Sequence, residues 1–488
     1  VTAKQPNILL FLADDLGWKD TGVYGSGYFE TPHIDALARE GMRFTNAYSA
    51  NPLCSPTRAS ILTGKNPDRL NITCPHCHED PREGFVPETA EPWERVILPL
   101  PQTFLPTNEY TLPKALKDGG YRTVHIGKWH LGQRPYFPED HGYEVNIAGQ
   151  SWGGPRSYFP PYQNNLLEDG PEGEYLTDRL AQEAVQQMVA ADDDRPFFIA
   201  LWDYAVHSPY QAKEEYIARY EGKVDPHGIQ DCPTMGAMVQ SQDDAVGVIL
   251  AGLEANGLAE DTIVIFASDN GPSKGYVNGV PVSSALPLRG MKGSLYEGGV
   301  RVPCIVRWPN VVEAGSVRHE IVTSTDLYAT ILEMAGLEAQ PGQAPDSISM
   351  VPLLTGDIRN DARSSYFCHY PQGPAYIQGA DGTVVAGSAH HLAGTTVRRD
   401  DWKLIRRWDT NEHFPNRHEL YNLADDPGEC HNLAAQHPDL AAELDALIDA
   451  YLADTGTLIP ILNPAFDQSL LSGHTTAAKP DVFFSNEA

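Results

Sequence analysis

Two pairs of adjacent oxygen-bearing side chains, Asp14-Asp15 and Asp269-Asn270, stand far apart in the chain and share one chemistry. Three carboxylates drawn together repel one another unless a cation neutralises them. An all-oxygen donor set favours a hard ion such as Ca²⁺ or Mg²⁺. Either pair alone would also suit a solvated turn, so the rest of the chemistry decides. Cys54-Ser55-Pro56-Thr57-Arg58 offers a nucleophile four residues from a cation. A Cys-x-Pro-x-Arg string arises by chance about 0.03 times in a chain of this composition. A Cys at a helix start lies where amide dipoles favour a nucleophile or a bound anion. Lys128 and His130, His207, and Lys292 add cations and titratable rings in Gly-rich or Pro-flanked loops.

These residues need elements to aim them. Residues 7–13 form a short apolar run ending in Asp14-Asp15 and Gly17, which predicts a buried strand with the carboxylates at its C-terminal end. A helix is expected over 33–40, stopped by Gly41, and a second strand over 43–48. Ser55-Pro56 has the form of an N-cap followed by Pro at the first helical position, with the helix continuing over 57–63 to Gly64. Helices at 110–117, 178–189, 238–254 and 326–335 alternate with strands at 121–126, 196–202 and 262–267. The expected fold is α/β, with a large, mostly parallel central sheet between layers of helices and ligands bound beyond the carboxyl ends of the strands. After a Gly, Pro and Gln-rich loop at 336–345 the texture changes to short β-like runs at 365–369, 396–399, 402–407 and 418–421, then an amphipathic helix at 439–450. The division expected is a catalytic domain over 1–357 and a smaller α+β subdomain over 358–488 built on a short antiparallel sheet, with an irregular wrap after Pro464.

Composition narrows the function. The 488 residues carry 65 acidic and 35 basic side chains, a formal net charge of −30. Such a field repels polyanions, which disfavours a general nucleic-acid binder, so an anionic substrate must be captured by local positive charge. With 41% hydrophobic residues the chain can bury a sizeable core, and no apolar run reaches the length of a membrane span. Seven cysteines are too few for a disulfide scaffold at this length. The chain starts at Val1 with no charged n-region, as a processed mature end would.

Taken in order, these motifs resemble the formylglycine-dependent sulfatases of the alkaline-phosphatase-like superfamily. The resemblance runs through Asp14-Asp15, residues 54–64, 127–132, His207-Ser208-Pro209, 268–271, 289–293 and 297–303, and continues in 402–405, 419–423 and 426–429. It implies that Cys54 is oxidised to formylglycine by a maturation enzyme and that the aldehyde hydrate is the nucleophile. One Ca²⁺ would be held by Asp14, Asp15, Asp269, Asn270 and position 54. Arg58, Lys128 and Lys292 would surround the sulfate, His130 would serve as base and His207 as donor to the leaving oxygen, two roles open to exchange. The implied substrate is a sulfated saccharide, and family habit implies export to the periplasm or beyond. Two rivals use the same residues: a phosphodiesterase or phosphonate monoester hydrolase, and an inactive sugar-binding relative.

Other motifs lie outside that set. Cys74-Pro75-His76-Cys77-His78 matches c-type haem attachment or a Zn site in form, but its place just after the nucleophile helix favours a loop with or without a disulfide, in which His76 or His78 could touch substrate. Trp152 and Arg156 in the loop 151–158, and His369 before Tyr370-Pro371, are expected at a sugar-binding rim, since sugars stack on aromatic faces and hydrogen-bond to Arg and His.

Overall fold

The structure is a computed structural model describing residues 5–190, 195–357, 363–372, 376–378, 384–386, 393–410 and 416–473. Eight strands make the central sheet: β1 (Asn7–Ala13), β2 (Met42–Phe44), β3 (Arg122–Gly127), β4 (Val145–Ile147), β5 (Phe197–Trp202), β6 (Thr262–Ser268), β7 (Cys304–Arg307) and β8 (Ser316–Arg318). Their order is β8-β2-β7-β6-β1-β5-β3-β4, and only β7 runs antiparallel to its neighbours.

β1 shows why the sheet is central. Every residue of it is buried, because a parallel sheet covered on both faces has no wet side. Leu9, Phe11 and Ala13 join one core layer, with helices Leu176–Val189 and Pro233–Ala255; Ile8, Leu10 and Leu12 join the other, with helix Leu327–Met334. The expected α/β sandwich is therefore present, with most element boundaries within a few residues of those read from the chain.

Two local expectations are corrected. The strand expected over 43–48 divides: Met42–Phe44 stays in the central sheet, while Ala47–Tyr48 pairs with Val322–Thr323. The helix expected to start at Pro56 begins at Cys54 and runs to Thr63, with Leu53 as N-cap. Ser55 does not cap, because its hydroxyl donates to the His130 carbonyl at 2.8 Å. A tertiary hydrogen bond has taken the side chain that local pattern assigned to the helix end.

Four further strands, β9 (Ser365–Tyr370), β10 (Gly394–Arg399), β11 (Trp402–Arg407) and β12 (His418–Asn422), form a separate antiparallel sheet. Helix Pro438–Thr455 packs on it through Ala441, Leu444 and Ile448. The expected boundary after residue 357 lies at a stretch, 358–362, outside the described residues. Past Pro464 the chain follows residues 91–97: Asp467 N–H donates to Pro92 O at 2.7 Å. Residues 474–488 of the expected wrap lie outside the described residues. Among the described residues no helix is long and apolar enough to cross a membrane.

Candidate active site

Strand register assembles the site. β1 and β6 pair in parallel with Ala13 opposite Ser268, so Asp14-Asp15 and Asp269-Asn270 emerge side by side. β5 flanks β1 with Trp202 opposite Leu12, and β3 flanks β5 with Gly127 opposite Trp202. Lys128 and His130 follow β3, and His207 follows β5. Four adjacent strands thus deliver their functional residues past one edge of the sheet. The helix Cys54–Thr63, buried over its whole length, brings Cys54 and Arg58 to the same place.

The interactions alternate in sign. Arg58 donates to Asp269 Oδ2 through Nε (3.0 Å) and Nη2 (2.7 Å), and to the Lys128 carbonyl through Nη1 (2.9 Å). Lys128 Nζ donates to Asp14 Oδ2 at 2.6 Å, and Lys292 Nζ lies 2.7 Å from Asp15 Oδ1. Asn270 Nδ2 donates to Asp15 Oδ1 at 2.8 Å. The aspartates and Arg58 are essentially without solvent exposure. Burial, with Asp269 and Asp15 nearby, drives the Asp14 carboxyl well above the ordinary range despite Lys128. Burial would raise Asp15 too, but Lys292, aided by His207 and Lys128, holds it below that range.

This donor set fits a hard cation. Asp14 Oδ1 and Asn270 Oδ1 are buried without a hydrogen-bond partner, an expensive condition that a bound ion relieves. Asp14, Asp15 and Cys54 each offer a ligand atom within 4.8 Å of the others. Asp15 adopts φ +61°, in the left-handed region that costs a non-glycine residue energy and recurs at functional sites.

The two histidines differ. His130 Nε2 lies 3.1 Å from the Pro75 carbonyl, which can only accept, so Nε2 carries the proton and the buried, unpartnered Nδ1 presents a lone pair. His207 Nδ1 lies 2.8 Å from the Ser208 carbonyl and therefore donates; Nε2 points toward Asp15 Oδ2 at 3.8 Å. Burial first, then Lys128 for His130 and Lys292 for His207, pushes both rings well below the usual imidazole range. Gly153 and Gly154 cover them: a Cβ on Gly153 would lie 3.0 Å from His130 Cε1, and one on Gly154 2.8 Å from His207 Nδ1.

Beside these glycines, the exposed Arg156 guanidinium lies 4.8 Å from the Trp152 ring centroid. The rim expectation for His369 is corrected. That ring is fully buried in the C-terminal sheet, bonded to Thr395 Oγ1 (2.7 Å) and the Leu458 carbonyl (3.1 Å), and burial lowers it to about 4. Cys74 and Cys77 are buried free thiols, and His76 pairs with Glu79. Among the described residues, 74–78 supply no three-ligand metal group. The segment frames His130 instead, through the Pro75 carbonyl and the His78 ring 5.7 Å away.

Behind Lys292 lies a buried clasp, whose residues fall in the motifs 289–293, 297–303, 402–405 and 426–429 but had no role assigned from the sequence. Lys403 Nζ lies 2.9 Å from both Glu297 Oε1 and Glu429 Oε1. Arg289 donates to the Tyr421 hydroxyl (3.2 Å) and the Glu429 carbonyl (2.9 Å). The loop carrying Lys292 is thus fastened on both flanks to the C-terminal sheet. Charged residues at buried strand positions such as Lys403 and Glu419 were the available signal.

The chain is similar to known proteins over most of its length. Residues 6–337 match the sulfatase family model, and residues 291–453 match the model for the C-terminal part of N-sulphoglucosamine sulphohydrolase. Human N-acetylgalactosamine-6-sulfatase is 34% identical over 433 residues, covering 83% of this chain and 74% of the relative. Human arylsulfatase A is 31% identical over 472 residues, covering 88% and 84%. The crystal structure of Ps i-CgsB in complex with k-i-k-neocarrahexaose superposes with a TM-score of 0.73 at 27% identity, covering 96% of each chain. The chain belongs to the sulfatase family and is a sulfuric ester hydrolase.

Proposed function

We propose that the protein removes O-sulfate groups from a saccharide, with Cys54 converted to formylglycine by a maturation enzyme and one Ca²⁺ bound by Asp14, Asp15, Asp269, Asn270 and position 54. The observation that carries this reading is the pair of buried oxygens without a hydrogen bond, Asp14 Oδ1 and Asn270 Oδ1, with Asp14 in a cluster that also contains Asp15 and Cys54. A saccharide substrate is supported by the relatives named for N-acetylgalactosamine-6-sulfatase activity and by the neighbour solved with a carrageenan hexaose. When present, the formylglycine hydrate and the ion supply a nucleophilic oxygen and a fixed positive charge.

The remaining work falls to this chain's own side chains. Arg58, Lys128 and Lys292 orient the sulfate and stabilise negative charge developing on its oxygens. His130 accepts a proton at Nδ1, the nitrogen left unprotonated by the Pro75 hydrogen bond. An arriving sulfate raises the pKa of His207, which then donates from Nε2 to the leaving oxygen. Trp152 and Arg156 contact the sugar. We assign residues 1–357 to the catalytic domain and 358–488 to the C-terminal subdomain, and we place the protein outside the cytoplasm by analogy with its relatives.

The test is a desulfation screen on defined sulfated mono- and oligosaccharides with Ca²⁺, run beside Cys54→Ala, with mass spectrometry of the peptide around position 54. Sulfate release abolished by the variant, together with an aldehyde at 54, is the expected result. No release from any compound, with higher kcat/KM on an aryl phosphonate than on the matched aryl sulfate, would overturn it.

A further inference from the structure

His207 is aimed by its own backbone. Its Nδ1 donates to the Ser208 carbonyl at 2.8 Å, which ties the ring to the main chain of residues 207–208 and leaves Nε2 pointing toward Asp15 Oδ2 at 3.8 Å. The direction of Nε2 therefore depends on whatever holds that main chain. Part of the hold is backbone pairing with the end of β1. Asp203 N–H donates to the Leu12 carbonyl at 3.0 Å, Asp14 N–H to the Ala205 carbonyl at 2.9 Å, and Val206 N–H to the Asp14 carbonyl at 2.6 Å. Two side chains from other elements complete it.

Tyr158 ends the loop 151–158. Its hydroxyl lies 2.7 Å from the Tyr204 carbonyl and 2.8 Å from the His207 carbonyl, and since carbonyls only accept, the single phenol proton is shared between them. The phenol is itself held in place. Its ring is fully buried and stacks on Tyr175 with centroids 5.4 Å apart; the Tyr158 N–H donates to Gln211 Oε1 at 2.8 Å, and its carbonyl accepts from Leu176 N–H at 2.8 Å. Gln242, in the helix Pro233–Ala255, is also fully buried, and its Nε2 donates to the Ala205 carbonyl at 2.6 Å. A glutamine in the core gives up both hydration and rotamer freedom, so an apolar residue would serve packing better there. The Ala205 carbonyl thus receives Gln242 as well as the Asp14 amide, two residues before His207.

We propose that Tyr158 and Gln242 are positioning residues that act through His207, fixing the backbone of residues 204–207 so that Nε2 reaches the leaving oxygen. The inference rests on the sulfatase reading and on His207 as its proton donor. In the step concerned, a bond from the nucleophile to sulfur forms while the bond from sulfur to the leaving oxygen breaks. The electron pair stays on that oxygen, and the protonated His207 ring gives it the Nε2 proton and becomes neutral. A misplaced ring delivers that proton late, which slows the departure of a basic leaving oxygen and matters little to an activated phenolate. The loop that carries Trp152 and Arg156 thereby also steadies the proton donor.

The experiment measures kcat and KM of wild type, Tyr158→Phe, Gln242→Met and His207→Ala on phenyl sulfate and 4-nitrophenyl sulfate, with an unfolding curve and a Ca²⁺ titration of each protein. Tyr158→Phe and Gln242→Met are expected to lose about tenfold in kcat on phenyl sulfate and to stay within about threefold of wild type on 4-nitrophenyl sulfate, with KM and the Ca²⁺ requirement unchanged. His207→Ala should show the same leaving-group dependence in stronger form. The proposal is overturned if both variants lose equally on the two esters while His207→Ala does not, if they lose stability alone, or if their loss is restored by extra Ca²⁺, which would place the effect at Asp14. Equal losses in His207→Ala remove the donor on which the inference rests, and overturn it too. A wild type that cleaves the matched aryl phosphonates instead of the sulfates refutes the sulfatase reading, and the same leaving-group comparison on those esters then judges Tyr158 and Gln242.

Discussion

Lys403 on the C-terminal sheet and Glu297 in the catalytic region meet at 2.9 Å with both side chains fully buried. The contact lies five residues beyond Lys292, beside a hydrophobic cluster in which Leu295, Tyr296 and Val300 pack with Tyr366, Ile405 and Tyr421 of the C-terminal sheet. Glu429 completes the triad from the other side of the ammonium, also at 2.9 Å.

Truncating that lysine strands two carboxylates in a dry environment. Lys403→Ala is expected to destabilise the protein by about 3–5 kcal/mol, the usual loss when one member of a buried ion pair is removed. Activity should fall at temperatures where the fold persists, because the Lys292 loop loses its anchor. Chemical denaturation read beside aryl sulfatase kinetics checks both. A variant of native stability and native kcat would show the clasp to be idle.

Gly153 and Gly154 offer a probe that leaves every polar group of the site in place. A methyl at 153 presses on His130, and one at 154 presses on both His207 Nδ1 and the Ser208 carbonyl, each at 2.8 Å. Gly154→Ala should be the worse of the two because a carbonyl fixed in the backbone cannot swing aside. Displacements of this size should lower kcat by about tenfold to a hundredfold, with a smaller change in KM. Steady-state kinetics of the two alanine variants, with unfolding curves to verify folding, would decide.

Cation removal should register in stability as well as in rate. With three carboxylates converging, a chelator is expected to lower the unfolding temperature and abolish sulfate release; added Ca²⁺ should restore both, the unfolding temperature climbing with the logarithm of its free concentration and the rate saturating. Mg²⁺ should restore less, since it dehydrates reluctantly and demands a tighter octahedron. Scanning calorimetry at several Ca²⁺ concentrations tests this, and an unfolding temperature indifferent to chelator and ion would refute it.

Asp68 should imprint a pH dependence on folding. Burial raises its carboxyl to about 7, and the Tyr451 hydroxyl donates to it. A folded pKa above the unfolded one means that the native state holds the extra proton. The stabilisation is full below about pH 4, declines at up to about 1.4 kcal/mol per pH unit, and is gone above pH 7. Asp68→Asn should flatten that limb of the stability curve, as urea unfolding between pH 4.5 and 7.5 would reveal. Equal slopes in variant and wild type would refute the assignment.

Legibility in the sequence followed the range of the forces involved. Asp14-Asp15 and Asp269-Asn270 could be paired in advance because each ends an apolar run, and runs of that length have few places to go except a parallel sheet. Their adjacency needed only the register of β1 against β6. Ser55 was misassigned because its hydroxyl had two suitors, a local amide and the distant His130 carbonyl, and only folding decides between them. His369 was misread for a related reason: a histidine on a short strand looks polar until the strand is seen to be buried with both ring nitrogens satisfied.

The in-register pairing of Ala13 with Ser268 also governs how the enzyme can fail and how it can change. Asp14-Asp15 and Asp269-Asn270 leave the innermost strands of the eight-stranded sheet, whose amides should exchange with solvent only when the whole molecule opens. Partial fraying then leaves the chemistry intact, and inactivation on heating should coincide with global unfolding. Trp152 and Arg156, which we assign to the sugar, hang from a loop outside the strands of that sheet. Insertions or substitutions there can redirect the enzyme to another substrate while the reacting centre stays in register.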